Sequence, residues 1–301
     1  MVVTGTSEHV MISPQYHSVH RTAGANPSIA YTLYEPDAPT SDLTLLFLHG
    51  AAHDERCWQY HWTAYLAQHG CRCLTLSYRA HGESGWSRPV SEARLDDYVA
   101  DVNTVLEALG LDAQRVILIG HSLGGGVAQR FAAQQNVAGL VLMASLAFGV
   151  WMQAVWRSLP FQVIRHPRVY PKLRADPSLL FQTPALVREY LLGQDAPDAL
   201  VDWYFQECRC HESGKALFDM MQAKPQPLRT SEILLLAGRR DSSVPLSFMR
   251  RSAAELRATL VELEGAPHDM MLTQWRQAAD AVWAFAQQCQ RDQAKKQGEA
   301  A

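Results

Sequence analysis

The chain has 301 residues, 48 % of them hydrophobic and 19 % charged, with a formal net charge of −3. That length suits one large α/β domain or two small ones, and the apolar content excludes wholesale disorder. The balanced charge excludes a basic face for nucleic acid, and with no run of about 18 apolar residues no membrane span is expected.

The opening residues "MVVTGTSEHVMISPQYH" lack the basic and apolar regions of a secretory signal. Six cysteines are present. Neither Cys71/Cys73 nor Cys208/Cys210 has a second ligand pair at zinc spacing, although His211 follows Cys210. Reduced thiols in a cytoplasmic protein are the simplest reading, with no metal.

In chain order, segments around Val10–Val19 and Ile29–Glu35 read as an antiparallel hairpin at one sheet edge. Six apolar runs follow as strands: Leu43–Gly50, Cys71–Tyr78, Arg115–His121, Ala138–Ala144, Glu232–Gly238 and Thr259–Gly265. Most are continuously apolar, as strands covered on both faces must be. Helices are expected at Trp58–Gln68, Leu95–Leu109, Leu123–Gln134, Leu246–Leu256 and Thr273–Gln290. Strands alternating with helices predict an α/β fold, a mostly parallel, eight-stranded, doubly wound sheet.

Between Ala144 and Glu232 the rhythm breaks. This stretch carries large apolar residues, among them Trp151, Trp156, Phe161, Trp203, Tyr204 and Met220, and prolines at 160, 167, 171, 177, 184 and 197 cut it into short helices. It reads as a helical cap over residues 146–230, inserted into a core formed by 1–145 and 231–290. Residues 291–301 read as a frayed tail. Extra core packing remains the plain alternative for most of the insertion's aromatics taken singly.

"VILIGHSLGGGVAQRF" places Gly120-His121-Ser122-Leu123-Gly124 between a strand and a helix. On so sharp a turn only small residues fit two positions before and after the serine, and the hydroxyl is lifted from the sheet's C-terminal edge. A serine hydroxyl needs a base, and the base an orienting acid. Asp241 follows the strand "EILLLAG" and His268 follows "TLVELEG", in the order Ser…Asp…His. Asp269 is a competing partner for His268, less suited because a sequence neighbour rarely reaches the far ring nitrogen. Two backbone donors are needed for an oxyanion, the N–H of Leu123 and one from the loop after "LTLLFLHG", assigned to Ala51. His49 is read as a brace for that loop, and His49 with His53 as a metal pair is disfavoured because no helix holds them on one face. No dinucleotide-binding glycine pattern stands out, so no cofactor is expected.

The pieces "HGAAHDERCW", "YRAHGES", "GHSLGGG", "GRRD" and "APHDMML" together resemble the α/β-hydrolase family, in the branch with a His-Gly oxyanion loop and a helical cap. The loop "SYRAHG" departs from the family's usual Asp-x-Arg-Gly-His-Gly, and Pro267 stands where glycine often precedes the histidine. The resemblance implies Ser122 as nucleophile, His268 as base and then acid, Asp241 as orienter, and Ala51 with Leu123 as oxyanion donors. It implies hydrolysis of a small-molecule ester, lactone or thioester with an apolar part. Carbon–carbon cleavage of a ring-fission product, a cofactor-free peroxidase-like side activity and a catalytically silent ligand-binding protein are the alternatives within the fold.

Overall fold

The computed structural model describes residues 10–13, 16–154 and 176–300. A single sheet of nine strands contains Val10–Ser13 (β1), Tyr16–Ala23 (β2), Ile29–Pro36 (β3), Thr44–Leu48 (β4), Arg72–Leu76 (β5), Val116–His121 (β6), Gly139–Met143 (β7), Ile233–Gly238 (β8) and Thr259–Leu263 (β9). Their order is β1-β2-β3-β5-β4-β6-β7-β8-β9. From β5 to the β9 edge every pairing is parallel, whereas β1, β2 and β3 are antiparallel and β3 meets β5 antiparallel. The expected count was eight. The difference lies in Val10–Val19, which is a hairpin in itself, with Val10 opposite Val19 and Ser13 opposite Tyr16. Pro14 has no N–H to give a ladder, so one continuous strand through it is disfavoured.

Successive strand residues face opposite sides, and both sides are covered. Leu46, Leu48, Leu118, Leu140, Leu142 and Leu235 join one core with the helices Leu95–Leu109 and Leu123–Gln134. Leu45, Phe47, Ile117, Ile119, Val141, Met143, Leu234 and Leu236 join another with Trp58, Trp62 and the last helix. That double cover is why the strands carry few polar residues.

The helices Leu95–Leu109, Leu123–Gln134 and Leu246–Leu256 lie where the pattern places them. Trp58–Gln68 divides into Arg56–Gln59 and Trp62–Gln68. The last helix spans Trp275–Ala300, through the tail expected to fray. Its sequence is rich in good helix formers, and the Gln290 and Gln293 side chains donate to the carbonyls of Thr40 (2.8 Å) and Gln114 (3.0 Å).

Among the described residues no strand lies between β7 and β8. Trp156, Phe161, Pro160, Pro167 and Pro171 fall outside the described residues. The described part of the insertion starts two of its short helices at Pro177 and Pro184, capped by Asp176 and Thr183. It shares the cores of the sheet: Leu191 and Tyr204 pack on one side, Ala216 and Met220 on the other. No helix among the described residues is long and apolar enough to cross a membrane.

Candidate active site

The chain passes from β4 to β5 on one side and returns to β6 on the other, so the order switches between β4 and β6. Open sheets leave a crevice at such a point, beyond the strands' C-terminal ends. The loop carrying Ala51 leaves β4 there, and Ser122 leaves β6 there; Leu48 and Gly120 are register partners. Asp241 and His268 follow β8 and β9, paired in parallel through Gly238 and Leu263. All the residues singled out in the sequence thus reach one edge of the sheet.

Ser122 sits at φ +48° and ψ −113°, immediately before the helix Leu123–Gln134. A non-glycine residue there is strained, by about 1–3 kcal/mol, and persists only when its surroundings hold it. They do: the Ser122 N–H donates to the Met143 carbonyl at 2.9 Å, and its own carbonyl accepts from the Ser145 hydroxyl at 2.7 Å. A Cβ on Gly120 would stand 2.4 Å from the Gly124 carbonyl, and one on Gly124 would stand 2.2 Å from that of Leu48. The next two glycines face Ser145 and Met220, so the run of small residues seats the helix against three neighbours. Ser122 is half-buried, and Leu123 is completely buried.

His268 Nδ1 lies 2.9 Å from Asp241 Oδ2. The other carboxylate oxygen, Oδ1, accepts the N–H groups of Ser243 and Val244, each at 2.8 Å. The carboxylate is therefore fixed by its own turn before it meets the imidazole. Burial alone would depress the His268 pKa, but the facing Asp241 outweighs it, and the group titrates above its ordinary value of 6.5. With Nδ1–H committed to Asp241, Nε2 is left as the basic nitrogen.

The loop after β4 is built from buried polar side chains. His49 Nε2 accepts the Tyr78 N–H at 3.1 Å, so Nδ1 carries the proton and donates to the Gly50 carbonyl at 2.9 Å. Burial, with His81 nearby, keeps His49 neutral, well below its ordinary pKa. Ala52 stands at φ +63°; its N–H points at Glu212 Oε2, 3.4 Å away, and its carbonyl accepts from the Tyr204 hydroxyl at 3.2 Å. Glu212 is wholly buried and also accepts from the Tyr98 hydroxyl at 2.7 Å, with His81 Nε2 3.4 Å away. Nothing in "CRCHESG" signals this role, because all of Glu212's partners but the adjacent Ser213 N–H are distant in sequence.

Asp269 does not compete for His268. Its Oδ2 pairs with His53 Nε2 at 2.9 Å, and both side chains are buried. His121 is buried as well, and its Nε2 lies 3.2 Å from the His268 carbonyl. Burial, helped by the neighbouring His268, lowers the His121 pKa to about 3, so it is neutral and donates through Nε2. His121, His268 and Asp269 offer ligand atoms within 4.8 Å of one another. Each, however, has protein partners that account for its placement. Arg239 and Arg240 are solvated, facing Glu264 and Asp195 at the surface. A cavity of about 610 Å³ is lined by Tyr60, Leu192, Ser242, Pro267 and Trp275 among others, flanking Asp241 and His268 without Ser122 in its wall.

A family model described as "Alpha/beta hydrolase family" matches residues 45–281. The chain belongs to the alpha/beta hydrolase family. The chain is 29 % identical to a non-heme chloroperoxidase from Streptomyces lividans over 261 residues, 80 % of this chain and 90 % of that protein. It is 32 % identical to protein phosphatase methylesterase 1 from Homo sapiens over 114 residues, 37 % of this chain. That match spans 29 % of the methylesterase's own length. A thermophilic esterase from Thermogutta terrifontis superposes with a TM-score of 0.66 at 21 % identity, covering 91 % of this chain and 99 % of that one.

Proposed function

We propose that this hydrolase cleaves a carboxylic ester, lactone or thioester of a small molecule with an apolar part, through a Ser122–His268–Asp241 triad and an acyl-enzyme. One observation carries the reading. A serine at φ +48° on the strand-to-helix turn stands at the same sheet edge as a histidine whose Nδ1 is hydrogen-bonded to an acid at 2.9 Å.

The chemistry follows from the atoms available. His268 Nε2 takes the proton of the Ser122 hydroxyl as its oxygen attacks the substrate carbonyl. The oxyanion is received by the N–H groups of Leu123 and Ala51, aided by the positive end of the helix Leu123–Gln134. His268 then protonates the departing alcohol or thiol. Water, deprotonated by the same nitrogen, opens the acyl-enzyme and releases the acid. Asp241 holds the tautomer and steadies the imidazolium as it forms.

The names of the methylesterase and of the Thermogutta esterase support ester chemistry, and the apolar residues of the 146–230 insertion suit an apolar substrate part. In this reading 146–230 is a cap on the core formed by 1–145 and 231–290. Six cysteines without a disulfide fit a cytoplasmic protein.

A fluorophosphonate probe tests the assignment. Wild type labels, and Ser122→Ala does not; labelling that survives the substitution sinks it. A series of p-nitrophenyl esters of rising acyl length then defines the substrate, with activity rising beyond the acetate. Esters that all prove inert while the probe reacts shift the reading to carbon–carbon cleavage.

A further inference from the structure

The loop bearing the Ala51 N–H and the loop bearing His268 come from different strands, β4 and β9, with β6, β7 and β8 between them. Attack requires the two to be held at fixed separation, since the oxyanion forms between Ala51 and Leu123 while the proton moves to His268. A side-chain hydrogen bond bridges them directly. His53, two residues beyond Ala51, meets Asp269, the residue after His268, at 2.9 Å across 216 positions of sequence. We infer that His53 and Asp269 are the positioning pair of this site, an ion pair that sets the oxyanion loop against the histidine loop.

His53 has two acceptors. Nδ1 lies 2.8 Å from the Ala51 carbonyl and Nε2 lies 2.9 Å from Asp269 Oδ2. A neutral imidazole has one N–H and cannot serve both, so the ring is an imidazolium. Burial would depress it, but Asp269 raises the pKa to about 10. The Asp269 backbone is pinned separately, its N–H donating to the Leu191 carbonyl at 2.9 Å. On the other side the Ala51–Ala52 peptide is gripped at both ends, its carbonyl by His53 and its N–H by Glu212 Oε2 at 3.4 Å. The peptide next to it carries the Ala51 donor. Replacing a buried ion pair by apolar residues of similar size is often neutral or stabilising, so stability alone does not account for the charges. Placement of the two loops does.

The inference rests on the proposed serine chemistry, and the test separates the two. His53→Gln, Asp269→Asn and the double variant are compared with wild type by fluorophosphonate labelling and by p-nitrophenyl acetate turnover. The end-point of labelling counts folded, competent sites; kcat is expressed per counted site. Each single variant is expected to lose about 10²-fold in kcat and in labelling rate, the cost of misplacing a reacting group by about 1 Å. KM stays within about twofold, because the pair does not touch substrate. The double variant recovers about tenfold over the singles, since neither charge is left unpaired. Asp269→Glu keeps the charge, shifts it by one methylene, and loses about tenfold in kcat if position is what matters; it serves should the neutral variants fail to fold. Unchanged kcat per counted site in these variants, with the loss confined to the end-point, overturns the inference and leaves only a structural pair. Wild type that does not label at Ser122 overturns the proposed function and the inference with it.

Discussion

At the scale of single residues, Asp241 decides which nitrogen of His268 is basic. Its Oδ1 is held by two backbone N–H groups at 2.8 Å, so Oδ2 alone faces the ring. In Asp241→Asn the amide oxygen must stay with those N–H groups and the NH₂ must face His268. Nδ1 then has to accept, the proton moves to Nε2, and the base is lost. kcat should fall by about 10⁴-fold with little change in KM, as seen for that tautomer change elsewhere. To act as the proposed base His268 must be neutral, and its pKa lies above 6.5 because of Asp241 despite burial. The acid limb of kcat/KM should therefore titrate above the ordinary histidine range, with activity dropping as pH falls through it. A limb at or below that value would contradict the role given to Asp241. Ser122 and His268 were legible from local pattern and chain order. His53 and Glu212 were not, since their partners are 216 and 160 residues away.

At the scale of elements, the turn between β6 and the helix Leu123–Gln134 is set by backbone approaching backbone. A methyl on Gly124 would lie 2.2 Å from the Leu48 carbonyl oxygen and 2.6 Å from that of His49. Those carbonyls belong to β4, which is paired on both sides, and to the loop that follows it, so Gly124→Ala should prevent accumulation of folded protein. Gly126 is different. Its methyl would meet the Met220 side chain, at 2.4 Å from Cγ, and methionine can change rotamer. Gly126→Ala should cost about 1–3 kcal/mol from overpacking, offset by about 1 kcal/mol of helix propensity. Thermal melts of the two variants check the contrast, and equal tolerance would show that the contact with the Leu48 and His49 carbonyls relaxes. One expected helix is two. The periodicity of Trp58–Gln68 is continuous, yet the chain breaks at His61 with φ −143°. Apolar spacing reports which face is buried and is silent on one non-helical residue within it.

At the scale of the whole molecule, buried ionisable groups set how stability changes with pH. His53 rises from 6.5 to about 10 on folding despite its burial, through Asp269. A raised pKa contributes stability that is complete below the unfolded value and lost as pH climbs through the folded one. The His53 contribution, a few kcal/mol at most, should therefore drain away between about pH 6.5 and 10. Glu55 behaves alike in a lower window. Burial, opposed by the Thr75 hydroxyl, lifts it from 4.5 to about 8, so its charge costs stability increasingly between those values. Glu55→Gln should raise the melting temperature relative to wild type at pH 9 and leave it unchanged at pH 4. His53→Gln should flatten the upper part of the curve, seen as a smaller loss of melting temperature from pH 7 to 10. Parallel curves for variant and wild type would show that these groups do not titrate with folding.

The sequence by itself determined the alternation of strands and helices, the sheet's double cover, the strained serine and the order in which Asp241 and His268 follow it. These features are local: an apolar run, a turn that admits only glycine, a polar residue just past a strand. Only the tertiary structure decided that Val10–Val19 folds back on itself, that the last helix runs on to Ala300, and that the insertion shares the sheet's own cores. It alone decided that Asp269 turns to His53, a pairing that leaves Asp241 to His268. The reason is physical. Pairing between buried charges depends on distances and desolvation set by strands far apart in the chain, and no local spacing encodes either.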